Sequence, residues 1–553
     1  MEKIWYKSYE ESVPKEIELD WHRSVADIFE DSFKKFKDRP AFHNLGKTLT
    51  YGDLDVMSRN FAAYLQDLGL QKGDRVALMM PNLLQYPVAL FGALRAGMTA
   101  VNVNPLYTAR ELEHQLKDSG AKAIVILANF ATTLSEVLAK TEVKHVLVTR
   151  IGDMLGFPKS LIVNCVIKYV KKMEPAWSIS GATSFKGAIS KGASKSFTRP
   201  DIEPEDIAFL QYTGGTTGRS KGAVLTNRNI TSNVAQALSW IGHTFEEGKE
   251  IIVTPLPLYH IFSLTANCLS FSALGALNVL ITNPRDIPAF IKELSNWRFT
   301  ALTGVNTLFN GLLNNEDFAH INFESFKMTL GGGMAVQRAV AEKWKEVTGI
   351  PLIEAYGLTE TSPAACINPL NLKEYNGYIG LPVPSTTVSI RDDDGKEVPL
   401  GERGELCIQG PQVMRGYWNQ PEETKNTFHE DGALRTGDIA IMTEDGFFKI
   451  VDRKKDMILV SGFNVFPNEI EDVVAAHPKV LEVAAVGVPD AKSTEAVKLF
   501  LVKKDPSLTV EEIKAYCKEN LTGYKCPKHV EFRDELPKTN VGKILRRALR
   551  DEK

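Results

Sequence analysis

The chain has 553 residues, of which 44% are hydrophobic and 24% are charged, and its formal net charge is -3 at pH 7. A chain of this length is too long to fold around one hydrophobic core, so we expect at least two domains. The nearly balanced charge excludes the strongly basic surface of a nucleic-acid-binding protein, and we expect no nucleic-acid partner.

The cysteines and the N-terminal segment indicate a cytoplasmic protein. The six cysteines are scattered without CxxC pairs, which is typical of reduced thiols and not of a disulfide framework or a zinc site. Residues 1–20 are charged and lack the apolar core of a secretory signal. No run approaches the ~20 apolar residues that a transmembrane helix needs. We therefore expect a soluble protein in the cytoplasm.

Short apolar runs alternate with longer helical patterns through the first part of the chain. The pattern predicts strands at 75–80, 99–103 and 123–127, and helices at 84–95 and 108–118. A similar alternation returns further along the chain. Strand–helix alternation of this kind predicts parallel sheets with helices on both faces.

The segment from 154 to 173 has a different character. A mostly apolar run that begins at Phe157 is followed by Lys171 and Lys172, and two interpretations are open. An apolar stretch with lysines at one end is typical of a helix in a bilayer interface, which would place the protein peripherally at the inner face of the membrane. The same pattern also fits a helix that packs on its own protein and leaves its lysines in water.

A domain boundary is predicted at the charged string that begins at Val451. Short strands with acidic turns precede it. About a hundred residues, with predicted helices at 469–476 and 510–520, follow it, which is a typical size for a small α+β domain. The predicted division is an N-terminal domain at 1–451, a hinge linker at 452–457 and a C-terminal domain at 458–553.

A loop rich in glycine and threonine, YTGGTTGRSKG, runs from Tyr212 to Gly222 after an apolar stretch. Glycines let backbone N–H groups approach an anion closely, and the threonine hydroxyls and Lys221 supply further donors, so the loop predicts a phosphate site. A Walker A loop requires Gly-Lys-Ser/Thr after a four-residue spacer. Lys221 follows Ser220 and precedes Gly222, which excludes that alternative.

This loop resembles the phosphate-binding signature of the adenylate-forming (AMP-binding) enzyme superfamily, and the resemblance covers nearly the whole chain. Gly214 and Ser220, where the wider family usually has Ser or Thr and Pro, make the chain most similar to bacterial long-chain fatty-acid–CoA ligases. The resemblance implies an α/β fold, whose large N-terminal domain has doubly wound parallel sheets and a small barrel-like β subdomain. A small, mobile α+β C-terminal domain completes it.

The same resemblance assigns ATP and Mg²⁺ to particular residues. Glu360, in the string YGLTE, is placed on Mg²⁺ together with Thr213, and Thr359 is placed on the α-phosphate. Asp438, in the string LRTGD, is placed beside both ribose hydroxyls, because a carboxylate can accept a hydrogen bond from each of them. The residues assigned to nucleotide binding are Thr213, Gly214, Gly215, Thr216, Thr217, Gly218, Lys221, Gly332, Gly333, Tyr356, Thr359, Asp438 and Arg453.

Catalysis is assigned to Lys543, His260 and Glu360. Lys543, in the C-terminal string PKTNVGKIL, would lie between the attacking carboxylate and the α-phosphate, and His260 would lie near the carboxylate. Lys543 would then obstruct the thiol that attacks in the second step. Members of the family remove it by rotating the small domain about a hinge residue that aligns with Lys455. Gly462 would then let the pantetheine arm of coenzyme A pass close to the backbone.

The predicted substrates are a fatty acid, ATP and coenzyme A. Ile261, Phe262, Leu264 and the stretch 303–309 are apolar or small, and such a lining suits an alkyl chain, whose burial contributes about 0.8 kcal/mol per CH₂. The alternatives are a fatty acyl-AMP ligase that passes its product to a carrier protein, an aryl or medium-chain acid–CoA ligase, and a non-catalytic acyl binder. Family members include dimers, and no residue pattern decides between a monomer and a homodimer here.

Overall fold

The computed structural model describes residues 3–213, 220–490 and 492–551. Its strands are β1 Pro40–Asn44, β2 Lys47–Thr50, β3 Arg75–Met79, β4 Thr99–Asn102, β5 Ala123–Leu127, β6 His145–Thr149, β7 Thr183–Ser184, β8 Ile207–Thr213, β9 Lys221–Thr226, β10 Ile251–Thr254, β11 Leu277–Leu280, β12 Ala301–Gly304, β13 Met328–Gly332, β14 Leu352–Gly357, β15 Ala364–Ile367, β16 Leu381–Pro382, β17 Thr387–Arg391, β18 Gly404–Gln409, β19 Gly416–Tyr417, β20 Leu434–Met442, β21 Phe448–Arg453, β22 Ile458–Val460, β23 Phe463–Val465, β24 Val480–Asp490, β25 Thr494–Lys503 and β26 His529–Arg533.

The α-helices of these residues are α1 Val25–Lys35, α2 Tyr51–Asp67, α3 Gln85–Arg95, α4 Ala109–Ser119, α5 Ala131–Val137, α6 Lys159–Cys165, α7 Phe185–Gly192, α8 Asn227–Ile241, α9 Ile261–Ser263, α10 Phe271–Ala273, α11 Ile287–Leu294, α12 Asn306–Leu313, α13 Arg338–Thr348, α14 Pro421–Thr427, α15 Pro467–Ala475, α16 Val510–Asn520 and α17 Arg546–Asp551. Two π-helical turns, at Val166–Val170 and Leu264–Ser270, continue α6 and α9.

Two large sheets form the N-terminal domain. One has the order β19-β9-β8-β4-β3-β5-β6-β7 and the other β16-β15-β14-β13-β12-β10-β11-β1-β2. The inner strands of both pair in parallel, and antiparallel strands are confined to the edges. In β3, Val76 and Leu78 join one hydrophobic core while Ala77 and Met79 join another on the opposite face. Strands of a parallel sheet that is buried on both faces have nearly continuous apolar sequences, as β3 does. The predicted α/β fold is confirmed.

Capping residues set where several helices begin. Thr108 caps α4 by accepting the N–H of Glu111, whose carboxylate accepts the N–H of Thr108 in return. Thr226 and Asn229 form the same arrangement at α8. This reciprocal capping box satisfies backbone donors that a helix start otherwise leaves unpaired. It explains why the helix predicted at 108–118 begins at the following residue.

Where the sequence predicts a small barrel-like subdomain, the structure has a four-stranded antiparallel sheet in the order β17-β18-β20-β21. In the C-terminal domain, β23, β22, β25 and β24 form an antiparallel sheet, and β26 adds to β25 in parallel. The helix predicted at 469–476 begins at Pro467 instead, because proline is pre-organised for the first helical position. The division into 1–451, 452–457 and 458–553 stays a prediction; β21 continues to Arg453.

The C-terminal domain is docked on α12 and on the start of α13, the helices that follow β12 and β13. Thr307 Oγ1 donates to the carbonyl of Gly542 at 2.8 Å, and Asn310 Nδ2 donates to the carbonyl of Leu481 at 2.8 Å. The N–H of Arg338 donates to the carboxylate of Asp472 at 3.1 Å. These contacts direct the turn that contains Lys543 toward the large domain.

Large apolar side chains are exposed to solvent along α6, along the π-helical turn that continues it and just before it. Phe157 is 89% exposed, Tyr169 is 69% exposed and Val170 is 73% exposed, and Leu161 is exposed as well. Lys159 and Asn164 nevertheless bond to Leu45, Gly152 and Asp153 of the large domain, and both interpretations of this segment stay predictions. In the part of the chain that the structure describes, no helix has both the length and the apolar character needed to cross a bilayer.

Candidate active site

A cavity of about 1990 Å³ opens at the carboxyl ends of the parallel strands β10, β12, β13 and β14 and extends to the C-terminal domain. Open α/β sheets bind ligands at this end of their strands. The residues with predicted roles that line it are Thr213, Lys221, His260, Gly332, Gly333, Tyr356, Thr359, Glu360, Asp438, Arg453, Lys455 and Lys543. The structure thus gathers residues that are more than 300 positions apart in the sequence.

The predicted phosphate loop joins two strands of a hairpin. Thr213, at the end of β8, is paired with Lys221 at the start of β9. Lys221 Nζ forms an ion pair with Glu423 and lies 5.1 Å from the centroid of the Tyr417 ring. The predicted ligands between them, Gly214, Gly215, Thr216, Thr217 and Gly218, lie outside the described residues.

Glu360 lies in a short 3₁₀ turn that follows β14. The hydroxyl of Tyr417 donates to Glu360 Oε1 at 2.6 Å, and the N–H of Met414 donates to the carbonyl of Glu360 at 2.8 Å. The carboxylate is therefore fixed at the cavity wall on the same side as Lys221. Mg²⁺ is usually bound by one or two carboxylates together with substrate phosphates, and a fixed carboxylate close to Lys221, which is predicted to bind phosphate, fits that ion.

A flat backbone edge is formed where β13 ends. Gly332 pairs in register with Ala355 of β14, and Gly333 has a φ of +79°, in the region that favours glycine. A Cβ at Gly333 would lie 2.9 Å from Lys543 Cε and 3.2 Å from Lys543 Nζ. Glycine is thus required here both for the turn and for the close approach of the lysine.

Asp438 is buried between a tyrosine and an arginine. The hydroxyl of Tyr356 donates to Asp438 Oδ2 at 2.5 Å, and Arg453 Nε lies 3.4 Å from Oδ1. Asp438 and Arg453 are cross-strand partners on β20 and β21, so the sheet register itself brings the pair together. Burial raises the pKa of Asp438, and the positive charge of Arg453 opposes that shift.

Lys543 reaches the cavity from the C-terminal domain on a tight turn. The N–H of Thr539 donates to the carbonyl of Lys543 at 2.7 Å, and Thr539 Oγ1 accepts the N–H of Lys543 at 3.1 Å. Burial and the charge of Arg453 lower the pKa of Lys543 to about 8, against the pull of Asp438 and Glu360. The amine is thus placed where added negative charge would favour its protonated form.

His260 is neutral and lies on the large-domain side of the cavity. Burial, with a smaller effect of Lys543, lowers the pKa of His260 to about 3. Its Nδ1 accepts the N–H of Phe262 at 3.4 Å, which leaves the proton of the neutral ring on Nε2. The imidazole can therefore donate one hydrogen bond and cannot supply a positive charge near neutral pH.

Of the two residues assigned to the second step, Lys455 borders the cavity and Gly462 does not. Gly462 is exposed in the turn between β22 and β23, has a φ of +85° and does not line the cavity. Lys455 lies at the cavity rim, where partial burial and the charge of Arg453 lower its pKa. The structure therefore has the arrangement in which Lys543, and not Gly462, faces the large domain.

Tyr417 and Glu423 were not predicted, although they contact Glu360 and Lys221. Both belong to the string GYWNQPEET, which carries no spacing that indicates a phosphate site. Their contacts arise because β19 pairs with β9, at the edge of the sheet that carries Lys221. Only the tertiary pairing of the two strands reveals them.

An apolar part of the cavity lies against α8. Asn233, Ala237 and Ile241 line it, and their spacing of four places them on one face of the helix. The other apolar residues there are Ala266, Phe271, Met328, Leu330, Ile367 and Ile379. Of the predicted acyl contacts, Ile261, Phe262 and, from the stretch 303–309, Thr303 line the cavity. Leu264 does not, because it packs in the core of the large domain.

Comparison with known proteins gives concordant matches. The family model "AMP-binding enzyme" matches residues 29–418, and the model "AMP-binding enzyme C-terminal domain" matches residues 469–543. The chain is 60% identical to a long-chain-fatty-acid–CoA ligase of Yersinia pestis and 56% identical to one of Haemophilus influenzae. These matches cover 100% of this chain and 98% and 99% of the relatives. The crystal structure of ATP-bound MatB from Rhodopseudomonas palustris superimposes with a TM-score of 0.82 at 28% identity, over 95% of this chain and 98% of that one.

Proposed function

Because the chain belongs to the AMP-binding enzyme family, we propose that it is a long-chain-fatty-acid–CoA ligase. It activates a fatty acid with ATP to an acyl-adenylate, releases pyrophosphate, and then forms the thioester of coenzyme A with release of AMP. The observation that carries this proposal is one continuous cavity, in which apolar residues of α8 and β13 and the buried amine of Lys543 share the same space.

In the first step, a carboxylate oxygen of the fatty acid attacks the α-phosphorus, and the bond from that phosphorus to the bridging oxygen of pyrophosphate breaks. Negative charge grows on the α-phosphate oxygens, and the ammonium of Lys543 and the hydroxyl of Thr359 stabilise it. Fixed donors in a water-poor site stabilise such charge far more than water does. Lys543 moves no proton in this step, and His260 orients the carboxylate through its Nε2–H.

The bound nucleotide is held by the residues around the cavity. Lys221 leaves Glu423 and binds the phosphates, and Asp438 accepts hydrogen bonds from the ribose hydroxyls. The adenine packs against the backbone edge at Gly332 and Gly333. Glu360, with Thr213, would hold Mg²⁺, which supplies charge neutralisation of the pyrophosphate leaving group.

In the second step, the sulfur of coenzyme A attacks the acyl carbonyl carbon, the bond to the AMP oxygen breaks, and the thiol proton passes to solvent. Lys543 occupies the space beside the acyl phosphate in the present arrangement, so the C-terminal domain must rotate first. Lys455 is the pivot in this proposal, and Gly462 borders the entry of the pantetheine arm. Domain rotation is an established way to reuse one site for two reactions.

Release of pyrophosphate from ATP and Mg²⁺, measured across a ladder of saturated fatty acids with and without coenzyme A, tests the proposed function. We expect turnover that requires coenzyme A and is fastest with long chains. Pyrophosphate release without any thioester would instead support a carrier-protein acceptor. Activity confined to aromatic acids would contradict the fatty-acid assignment.

We also propose that the helix from Lys159 to Val170 binds an anionic lipid surface. Its exposed apolar side chains include Leu161 and Ile162, and Lys171 and Lys172 at its end are exposed and positively charged. An amphipathic helix with this composition gains apolar burial and electrostatic attraction at such a surface. The contact would hold the enzyme where free fatty acids partition.

Sedimentation with phosphatidylglycerol vesicles tests this surface. Replacing Leu161 and Val170 by serine is expected to weaken binding about tenfold or more, since both side chains would leave the acyl boundary. The control replaces Val56 and Leu400, which are also exposed, by serine and should bind like the unmodified protein. Equal binding of both variants, or no binding of the unmodified protein, would contradict the proposal.

A further inference from the structure

Arg546 lies three residues beyond Lys543 and is the centre of a network of acidic and amide groups. Its Nε donates to Glu471 Oε1 at 2.9 Å, its Nη2 to Glu471 Oε2 at 2.5 Å, and its Nη1 to Asp452 Oδ1 at 3.2 Å. Asn468 accepts a further bond, and Asp456 Oδ2 lies 3.8 Å from Nη1. One guanidinium thus contacts three carboxylates.

The partners of Arg546 belong to different parts of the chain. Glu471 and Asn468 lie on α15 of the C-terminal domain, whereas Asp452 lies on β21 and is held in register with Ile439 of the large domain. The Asp452 side chain is fully buried, and that of Arg546 is 15% exposed. The bond between Arg546 and Asp452 therefore joins the two domains at a buried point.

Asp452 also binds the start of α15. Its Oδ2 accepts the N–H of Asn468 at 2.8 Å, and a carboxylate is stabilising at this end of a helix because the first backbone N–H groups lack partners there. Arg550 adds a bond of 2.8 Å to Asp456 in the adjoining turn. In this domain orientation, the segment around the pivot is thus held on both sides by paired charges.

We propose that Arg546 and Asp452 form a latch that holds Lys543 in the adenylating position. They are positioning residues: both border the cavity, but their polar atoms bond to each other and to α15, and both act through the turn that carries Lys543. When the domain rotates about Lys455, Asp452 must give up Arg546 and the N–H of Asn468 together. The latch therefore favours the first half-reaction and must open before the second. This inference rests on the two-step reaction proposed above.

The test measures the two half-reactions separately in the full-length protein. Adenylation is followed as pyrophosphate release in a single turnover without coenzyme A. Thioester formation is followed from preformed palmitoyl-AMP with coenzyme A. For Arg546→Gln and for Asp452→Asn we expect adenylation to slow about 10- to 100-fold, since small misplacements of a catalytic group have effects of this size, while thioester formation changes less than about twofold.

Arg95→Gln is the matched control. Arg95 is also a buried arginine with two carboxylate partners, Glu30 and Asp55, but all three belong to the large domain. This change should lower thermal stability and leave the ratio of the two half-reaction rates unaltered. If the latch variants slow both half-reactions equally, or neither, the latch is refuted. If the unmodified protein forms no acyl-adenylate from any fatty acid, the proposed function itself fails.

Discussion

At the scale of single residues, the site depends on ionisable groups that burial keeps in a chosen state. His260 is neutral, because its buried ring has a pKa of about 3. Lys543 is also buried, but the carboxylates of Asp438 and Glu360 limit the fall of its pKa to about 8. His260 is thereby restricted to hydrogen bonding, whereas Lys543 keeps a positive charge that it loses as the pH rises through its pKa.

The pH dependence of adenylation should report the charge of Lys543. Because the ammonium form stabilises the transition state, kcat/KM for ATP is expected to be level below about pH 8 and to fall above it, as that pKa belongs to the free enzyme. Thioester formation from preformed palmitoyl-AMP should show no such fall, since the thiolate of coenzyme A increases with pH. A constant kcat/KM up to pH 9.5 would contradict the role given to Lys543.

Gly333→Ala should impair adenylation through contact with Lys543. The new Cβ would lie 2.9 Å from Lys543 Cε, and the displaced amine should slow single-turnover pyrophosphate release about tenfold or more. Gly349→Ala is the control, because Gly349 has a similar φ of +76° but no neighbouring atom within 4 Å of the added Cβ. Both variants should lose about 1 kcal/mol of stability through backbone strain. Equal activities of the two variants would exclude the contact as the cause.

At the scale of helices and strands, local residue patterns predicted correctly the elements whose formation depends on neighbouring residues. The parallel strands and the helix predicted at 108–118 follow from apolar runs and from helical spacing. The contacts of Glu360 with Tyr417 depend on pairing between β19 and β9, about which neither strand carries information by itself. The same limit applied to Leu264, whose apolar character suits a core and a cavity wall equally.

The face of α8 that lines the cavity should set the preferred chain length. Ala237→Phe adds a ring to the apolar part of the cavity, so we expect the fastest substrate to become shorter, with kcat/KM for palmitate reduced about tenfold. The measurement is the ladder of saturated acids described above. Ala235→Phe, two positions away and outside the cavity, should retain the preference for long chains. An unchanged ladder for Ala237→Phe would place the acyl chain elsewhere.

At the scale of the whole molecule, two domains share one site through a short charged connection. Arg453, Lys454 and Lys455 are exposed, yet Arg453 contacts Asp438 and Lys455 lines the cavity rim. In the proposed function, this connection is both the backbone hinge and part of the nucleotide environment. Ligand binding and domain position are expected to be coupled for this reason.

Limited trypsin digestion should reveal that coupling. Cleavage after the three basic residues is expected to separate a large fragment from a small one, because exposed turns are preferred cleavage sites. ATP with palmitate should slow the cleavage several-fold, because binding stabilises the docked arrangement by about 1 kcal/mol. GTP with palmitate serves as the control and should protect less. Identical digestion with and without ATP would contradict a nucleotide contact at the hinge.

The lowered pKa of Lys543 has a consequence for the enzyme itself. With a pKa of about 8 in the free enzyme, roughly a tenth of these amines would be uncharged and nucleophilic at pH 7, before the charge of a bound adenylate favours the protonated form. The acyl-adenylate is a mixed anhydride that such an amine can attack at the carbonyl carbon, expelling AMP and leaving a stable amide that inactivates the protein. In the proposed two-step reaction, rotation of the domain after the anhydride has formed would therefore do more than admit the thiol: it would also remove the enzyme's own amine from its most reactive product.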